Sequence, residues 1–221
     1  MTPPLVIPPY LKEAPLAGLI GMGGGATSQR FYTSSDDAYK IEKSIRFNNA
    51  DQGLINQTFA YSGDRRRWTM SCWLKRGLKN ADTKFQVAGA VTPSETGLRV
   101  NSNQLQFYQY DHPSYTWRIT SNALFRDSAA WYHIVGVYDS HQATDAERIR
   151  MYVNGERITS FSSATYPSQY AESTVNSTVA HTIGKMNGQN STTENTDGFI
   201  SDTSFIDGLT STFLSLLKNH V

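Results

Sequence analysis

Six residues that could do chemistry crowd one tight connection: Tyr108, Tyr110, Asp111, His112, Tyr115 and Trp117. Aromatic faces stack on the C–H groups of sugars or on bases, and a neighbouring carboxylate and imidazole can fix hydroxyls by hydrogen bonds. These six are therefore the candidate ligand-binding residues. The competing reading is ordinary cross-strand packing of aromatics in a hairpin, and the sequence leaves both open.

Catalysis finds less support. Glycoside hydrolysis needs paired acids facing one cleft, and no strand reads Glu-x-Asp-x-Glu. Asp36, Asp37, Asp145, Glu147, Glu194 and Asp197 fall in loops, where solvated charges are the expectation. His112, His133, His141, His181 and His220 form no short-spaced ligand pair. His133 shares a strand face with Trp131 and Val135, so a half-buried, hydrogen-bonded imidazole is expected. Neither a Gly-x-Ser-x-Gly elbow nor a phosphate loop occurs; the glycine run from Gly21 to Gly25 follows no strand and precedes no Lys-Ser/Thr. The expectation is a protein that is not an enzyme, with no catalytic residue, no metal ligand and no cofactor.

A formal net charge of +1, from 20 Lys+Arg against 19 Asp+Glu, removes the usual electrostatic argument for nucleic acid. Arg65-Arg66-Arg67 is the local exception, and it reads as a solvated edge that discourages strand addition. The single cysteine, Cys72, excludes an intramolecular disulfide and lies in an alternating strand as a small buried residue. No run of about 18 apolar residues occurs, so membrane insertion is not expected. Pro3, Pro4, Pro8 and Pro9 interrupt what would be the apolar part of a secretory signal.

The elements that must position the six residues follow from periodicity. In the stretch from Trp131 to Phe161, Asn154-Gly155 sits between two alternating runs, and both residues tolerate the positive φ of a two-residue hairpin turn. That register places Met151 opposite Ile158 and Tyr152 opposite Arg157. Upstream, Trp131 to Asp139 is apolar on both faces, with Val135 and Val137 on one and Ile134 and Tyr138 on the other, which predicts a central strand. Trp68, Met70, Cys72 and Leu74 alternate with Thr69, Ser71, Trp73 and Lys75. Further strands are expected at Ser44 to Asn48, around Phe59 and Tyr61, and at Phe85 to Val91, Gly97 to Val100, Leu105 to Tyr110, Tyr115 to Thr120, Thr182 to Gly184 and Gly198 to Ile206. Gly77, Pro93, Asn101-Ser102-Asn103, His112-Pro113 and Asn187-Gly188 separate them. Short strands with turn signals and no interleaved helices predict an all-β antiparallel sandwich. Ser140 to Glu147 reads as a solvent-facing loop.

Both ends differ from this middle. Residues 1–38 are rich in Pro and Gly yet carry Leu5, Val6, Ile7, Tyr10, Leu11, Leu16, Leu19, Ile20 and Met22. Such a segment forms no core of its own, and these apolar side chains suit an extended arm that docks on a partner. Residues 39–208 make the sandwich. Residues 209–221 place Leu209, Phe213, Leu216 or Leu217, and Val221 at helical spacing, so a short C-terminal helix is expected.

The order SIRFN, RRWTMSCWLKR, LFRDSAAWYHIVGVYDS, RIRMYVNGERITSF, HTIGK and DGFISDTSFIDG resembles the concanavalin A-like, laminin G-like jelly roll, in the version found in structural proteins of tailed bacteriophages. The leader PLAGLIGMGGGATS is similar to theirs in composition. The resemblance implies an antiparallel jelly-roll β-sandwich with an extended N-terminal arm. It also implies a non-enzymatic virion protein, assembled in the host cytoplasm, of tail-fibre or adhesin type. Its partners would be other virion proteins, further copies of itself (a trimer for a fibre) and a host-surface glycan. A capsid decoration or head-fibre protein is the near alternative; a stand-alone glycan-binding or glycan-cleaving protein is the distant one. The catalytic acidic strand of the glucanase members is missing, so their activity does not transfer. Calcium, held in some laminin G-like domains by loop acids and carbonyls, has no assignable site. The apolar LTSTFLSLLKNHV also departs from the polar continuation expected after Asp207-Gly208.

Overall fold

The alternation of Trp68, Met70, Cys72 and Leu74 is borne out: all four lie in one buried core, on a strand running Arg67–Arg76. The computed structural model describes residues 41–51, 53–77, 83–90, 92–186 and 195–208. The expected arm at 1–38 and the C-terminal helix at 209–221 lie outside the described residues. In chain order the strands are β1 (Ile45–Phe47), β2 (Ile55–Thr58), β3 (Arg67–Arg76), β4 (Thr83–Gly89), β5 (Ser94–Asn101), β6 (Gln104–Asp111) and β7 (Ser114–Leu124). There follow β8 (Tyr132–Asp139), one helical turn α1 (Asp145–Arg148), β9 (Ile149–Val153), β10 (Glu156–Arg157), β11 (Phe161–Thr165), β12 (Ala180–Ile183) and β13 (Gly198–Asp207). They form two antiparallel sheets, a six-stranded one ordered β1-β13-β3-β8-β9-β10 and a seven-stranded one ordered β11-β7-β6-β5-β4-β12-β2. The result is the expected all-β jelly-roll sandwich.

The two sheets meet over aromatic rings. Trp68 of β3 stacks on Tyr138 of β8 at 5.2 Å and 8°, while Phe107 of β6 and Trp117 of β7 meet edge to face at 5.0 Å. Trp68 touches Phe107 at 5.6 Å and Trp117 touches Tyr138 at 5.5 Å, which closes a ring of four aromatics across the interior. Two of their polar ends are satisfied locally: Trp68 Nε1 donates to Ser173 Oγ at 2.8 Å, and the Tyr138 hydroxyl donates to the Ala171 carbonyl at 2.8 Å, whereas Trp117 Nε1 has no hydrogen-bond partner among the described residues. Burial pushes the Tyr138 phenol's pKa up, as it does the thiol of Cys72, which is wholly enclosed.

β8 is central, between β3 and β9, and apolar on both faces as expected: Ile134 and Tyr138 join the main core, while Val135 and Val137 are buried on the other face against Tyr152. The β9–β10 turn has Asn154 at φ 50° and Gly155 at φ 81°, the pair of positive values that an Asn-Gly turn supplies. Arg157 pairs with Tyr152, and the Ile158 amide donates to the Met151 carbonyl at 2.9 Å. The Asn154 side chain also accepts the His133 amide at 2.9 Å, tying the turn to the neighbouring strand.

Four expectations are corrected. Arg65-Arg66-Arg67 does not guard an edge, because β3 lies between β13 and β8. The tract is paired instead: Arg65 and Arg66 bind Glu172 at 2.7 and 3.1 Å, and Arg67 binds Asp64 at 2.9 Å. Burial raises the pKa of Asp64, but the Arg66 and Arg67 amides and the Arg67 guanidinium outweigh it and hold it below the usual carboxylate value. Ser140 to Glu147 is not all loop, since α1 begins at Asp145. Phe59 and Tyr61 follow β2 and are not part of it; Phe59 packs on His181 and Phe205, and Tyr61 is exposed. His133 is buried rather than half-buried, its ring stacked 5.0 Å from Trp73.

His181 couples this core to pH. Its Nδ1 donates to the Val179 carbonyl and its Nε2 accepts the Asn176 amide, both at 2.9 Å, an arrangement open only to the neutral ring. Burial among Phe59 and Phe205 lowers its pKa below the ordinary 6.5, against the opposing effect of the Val179 carbonyl. A histidine whose folded pKa lies below its unfolded one adds stability at higher pH, lost as pH falls from 6.5 towards the folded value. Denaturant midpoints across that window should fall with pH in the native chain and fall less steeply in His181→Gln; equal slopes would remove His181 as the cause.

Candidate functional site

β5, β6 and β7 pair in register so that Glu95 faces Tyr110, Gly97 faces Tyr108 and Arg99 faces Gln106, all on the outward side of the seven-stranded sheet. Leu98, Phe107, Val100 and Leu105 take the inward side. Simple alternation along β7 would put Tyr115 and Trp117 on one face. The ladder prevents this, because Gln109 pairs with Trp117 while the next residue, Tyr110, pairs with Tyr115, leaving Thr116 as the extra residue of a β-bulge. Trp117 therefore turns into the core and Tyr115 turns outward.

This separates the six sequence candidates. Trp117 is 1% exposed, a member of the aromatic ring that joins the sheets, and offers no stacking face to a ligand. Tyr108 is outward but fully buried, its hydroxyl 3.1 Å from Glu95 Oε1. Asp111 is held within the hairpin, by Gln109 Nε2 at 3.1 Å and by the Thr116 hydroxyl. Tyr110, His112 and Tyr115 come together: Tyr110 meets Tyr115 at 5.0 Å and 66° and His112 at 6.2 Å and 87°. Tyr115 is 37% exposed, and His112 is exposed.

Four residues that the sequence reading did not single out complete this face. The Arg118 guanidinium lies 4.2 Å over Tyr115, and that of Arg99 lies 4.6 Å over Tyr108 and donates to the Tyr115 hydroxyl at 2.5 Å. Lys84 Nζ reaches Glu95 Oε1 at 2.9 Å and Met186 Sδ at 3.7 Å, and the ion-paired side chains are only 3% and 4% exposed. Lys84 stands opposite Arg99 in the ladder, so it reaches Glu95 diagonally past Gly97. A Cβ at Gly97 would lie 2.5 Å from the Gln86 carbonyl oxygen, so no larger residue fits there. The only cue to this pair in the sequence was opposite charge on two neighbouring strands, and reading it required the register. Among the described residues, no cluster of three or more His, Cys, Asp or Glu side chains could hold a metal.

A buried ion pair depends on both partners. Lys84→Met strands the Glu95 carboxylate and should destabilise the domain by about 3–5 kcal/mol in urea unfolding. Lys84→Met combined with Glu95→Gln should recover most of that loss. A single variant of native stability would show that the pair carries no such weight.

Comparison with known proteins follows the architecture. The model of the concanavalin A-like lectin/glucanases superfamily matches residues 47–211. None of the curated proteins compared by sequence matches the chain. Among solved structures, the heptameric SAP-like pentraxin of Limulus polyphemus is similar at 17% identity and TM-score 0.55, over 80% of this chain and 82% of that one. Domains LG4-5 of the mouse laminin α1 chain align at 14% identity and TM-score 0.54, over 82% of this chain and 46% of the laminin fragment. The CBM40 of the Ruminococcus gnavus IT-sialidase, bound to α2,3-sialyllactose, aligns at 10% identity and TM-score 0.54, over 80% and 97%. At such identities the likeness is one of fold. With the family model spanning residues 47–211, most of the sandwich, the chain belongs to the concanavalin A-like lectin/glucanases superfamily as a laminin G-like domain.

Proposed function

We propose that this chain is a non-enzymatic carbohydrate-recognition module of a bacteriophage virion, of tail-fibre or adhesin type. On this reading residues 1–38 anchor the module to other virion proteins, and the β6–β7 hairpin end meets a host-surface glycan. The observation that carries the reading is the cluster of Tyr110, His112, Tyr115 and Arg118, where aromatic edges and a guanidinium converge on the outward side of the sheet. Such a surface packs on sugar C–H groups while its polar ends bond hydroxyls. The sugar-bound CBM40 among the structural neighbours supports a glycan as ligand, and the sequence resemblance supports the virion setting.

The same face supports binding without hydrolysis. Glu95 is the one carboxylate among the outward residues of β4 to β7 that are described, and Lys84 and Tyr108 already engage it. Two-carboxylate hydrolysis requires a second acid about 5–9 Å away. A heptameric pentraxin among the neighbours lends support to assembly from several copies.

On a glycan array, Tyr110→Ala and Arg118→Ala should weaken binding on the order of tenfold, at unchanged melting temperature. Unchanged binding would reject the hairpin end as the site, and release of reducing sugar by the native chain would overturn the non-catalytic reading. Deleting residues 1–38 should leave a cooperatively melting sandwich but abolish incorporation into particles; incorporation at native levels would sink the anchoring role.

A further inference from the structure

The outward side of the other sheet carries a different arrangement. Across β1, β13 and β3, Arg46, Phe199 and Lys75 stand directly opposite one another, so their side chains share one row on one face. The Arg46 guanidinium lies 6.0 Å from the Phe199 ring centre, and Trp131 flanks the same ring at 6.4 Å. The row borders a depression of about 560 Å³ whose lining also includes Arg76, Gly77, Ser128 and Asp197. That volume falls within the roughly 300–1,000 Å³ of ligand sites.

Among the described residues, no ion pair neutralises the charge there. Those seen engage Arg65, Arg66, Arg67, Lys84, His141, Arg150 and Arg157, and none includes Arg46 or Lys75. Arg76 is committed to the Phe125 carbonyl and to Asn103 Oδ1. Asp197 is the one acid of the lining, and its carboxylate lies over Gly77, where a Cβ would come within 2.6 Å of Oδ2. Strands spaced about 4.8 Å apart put the Cα atoms of Arg46 and Lys75 about 10 Å apart. The Phe199 ring stands between them in the row. A flat apolar surface between two cations that no acid among the described residues pairs with matches a ligand that is both ring-shaped and negatively charged.

We propose that this depression binds an acidic sugar, its ring packed on Phe199 and its carboxylate or sulfate held by Arg46 and Lys75. The site stands apart from the β6–β7 hairpin end, on the opposite sheet. Isothermal titration of the full chain with three oligosaccharides tests it: a uronate oligomer, a heparin-type sulfated oligomer and a neutral glucan. At least one acidic oligomer should bind, identifying the preferred anion, and the neutral one should not. Arg46→Ser and Lys75→Ser should each weaken binding about tenfold, and Phe199→Leu should weaken it with the charge intact. Tyr110→Ala should have no effect here, which separates this site from the hairpin end. Lys43→Ser, which removes an exposed positive charge just before β1, should also have no effect. Three outcomes would overturn the proposal: no binding of either acidic oligomer, native affinity in the Arg46→Ser/Lys75→Ser double variant, or an equal loss in Lys43→Ser. Matching melting temperatures establish that the variants are folded.

Discussion

The closed ring of Trp68, Tyr138, Trp117 and Phe107 is the contact on which the rest of the sandwich depends. It draws two members from each sheet and holds them at 5.0 to 5.6 Å. Because Trp68 also reaches Ser173 and Tyr138 reaches Ala171, two of the four rings anchor the long segment between β11 and β12. Ser173 in turn bonds the Arg65 backbone, and Glu172 pairs with Arg65 and Arg66, so the basic tract becomes a clasp over one end of the core. The position of these charges follows from the aromatic packing beneath them.

That packing also decides what the hairpin can offer to a ligand. An indole the size of Trp117 fills the interior between β6 and β8, and it can do so only if β7 is in a register that points it inward. The extra residue at Thr116 then reverses the face for Tyr115. One bulge thus converts two aromatics that alternate along the chain into a core residue and a surface residue. The buried pair of Lys84 and Glu95 sits one layer below that surface, and with Tyr108 and Arg99 it fixes the floor on which Tyr110 and Tyr115 rest.

Much of the fold was legible because burial writes itself as periodicity. The two-faced β8, the alternating β3 and the Asn154-Gly155 turn were all readable, and each is a place where apolar side chains alternate or where φ must be positive. β2 and β11 were not. Their residues, INQT and FSSAT, are almost wholly exposed at sheet edges, so no apolar pattern marks them. The hairpin end was legible as a cluster but not as a surface. Tyr110, His112 and Tyr115 do stand together at the hairpin end, whereas Trp117 and Tyr108 are turned or buried away from them by a bulge and a layer of burial that leave no trace in residue order. Glu95 was missed because its strand was read as beginning at Gly97, and nothing in residue order puts Arg46, Phe199 and Lys75 in one row.

Sheet pairing, not sequence proximity, is what assembles Arg46, Phe199 and Lys75, which lie far apart in the chain but side by side on three strands. The same holds for Lys84, Glu95 and Tyr108 on the opposite sheet. In both cases an inward neighbour makes the outward row possible. Phe47, Ile200 and Leu74 are buried beneath the first, and Leu98 and Phe107 beneath the second, so each row stands on a rigid base rather than on a loop. A sandwich of this kind presents two faces whose chemistry varies independently, since a change of charge or ring on either outward row leaves the inward packing untouched. The outward chemistry of one face can therefore change without loss of stability. The exception is the buried pair of Lys84 and Glu95, where the outward row and folding stability rest on the same two side chains.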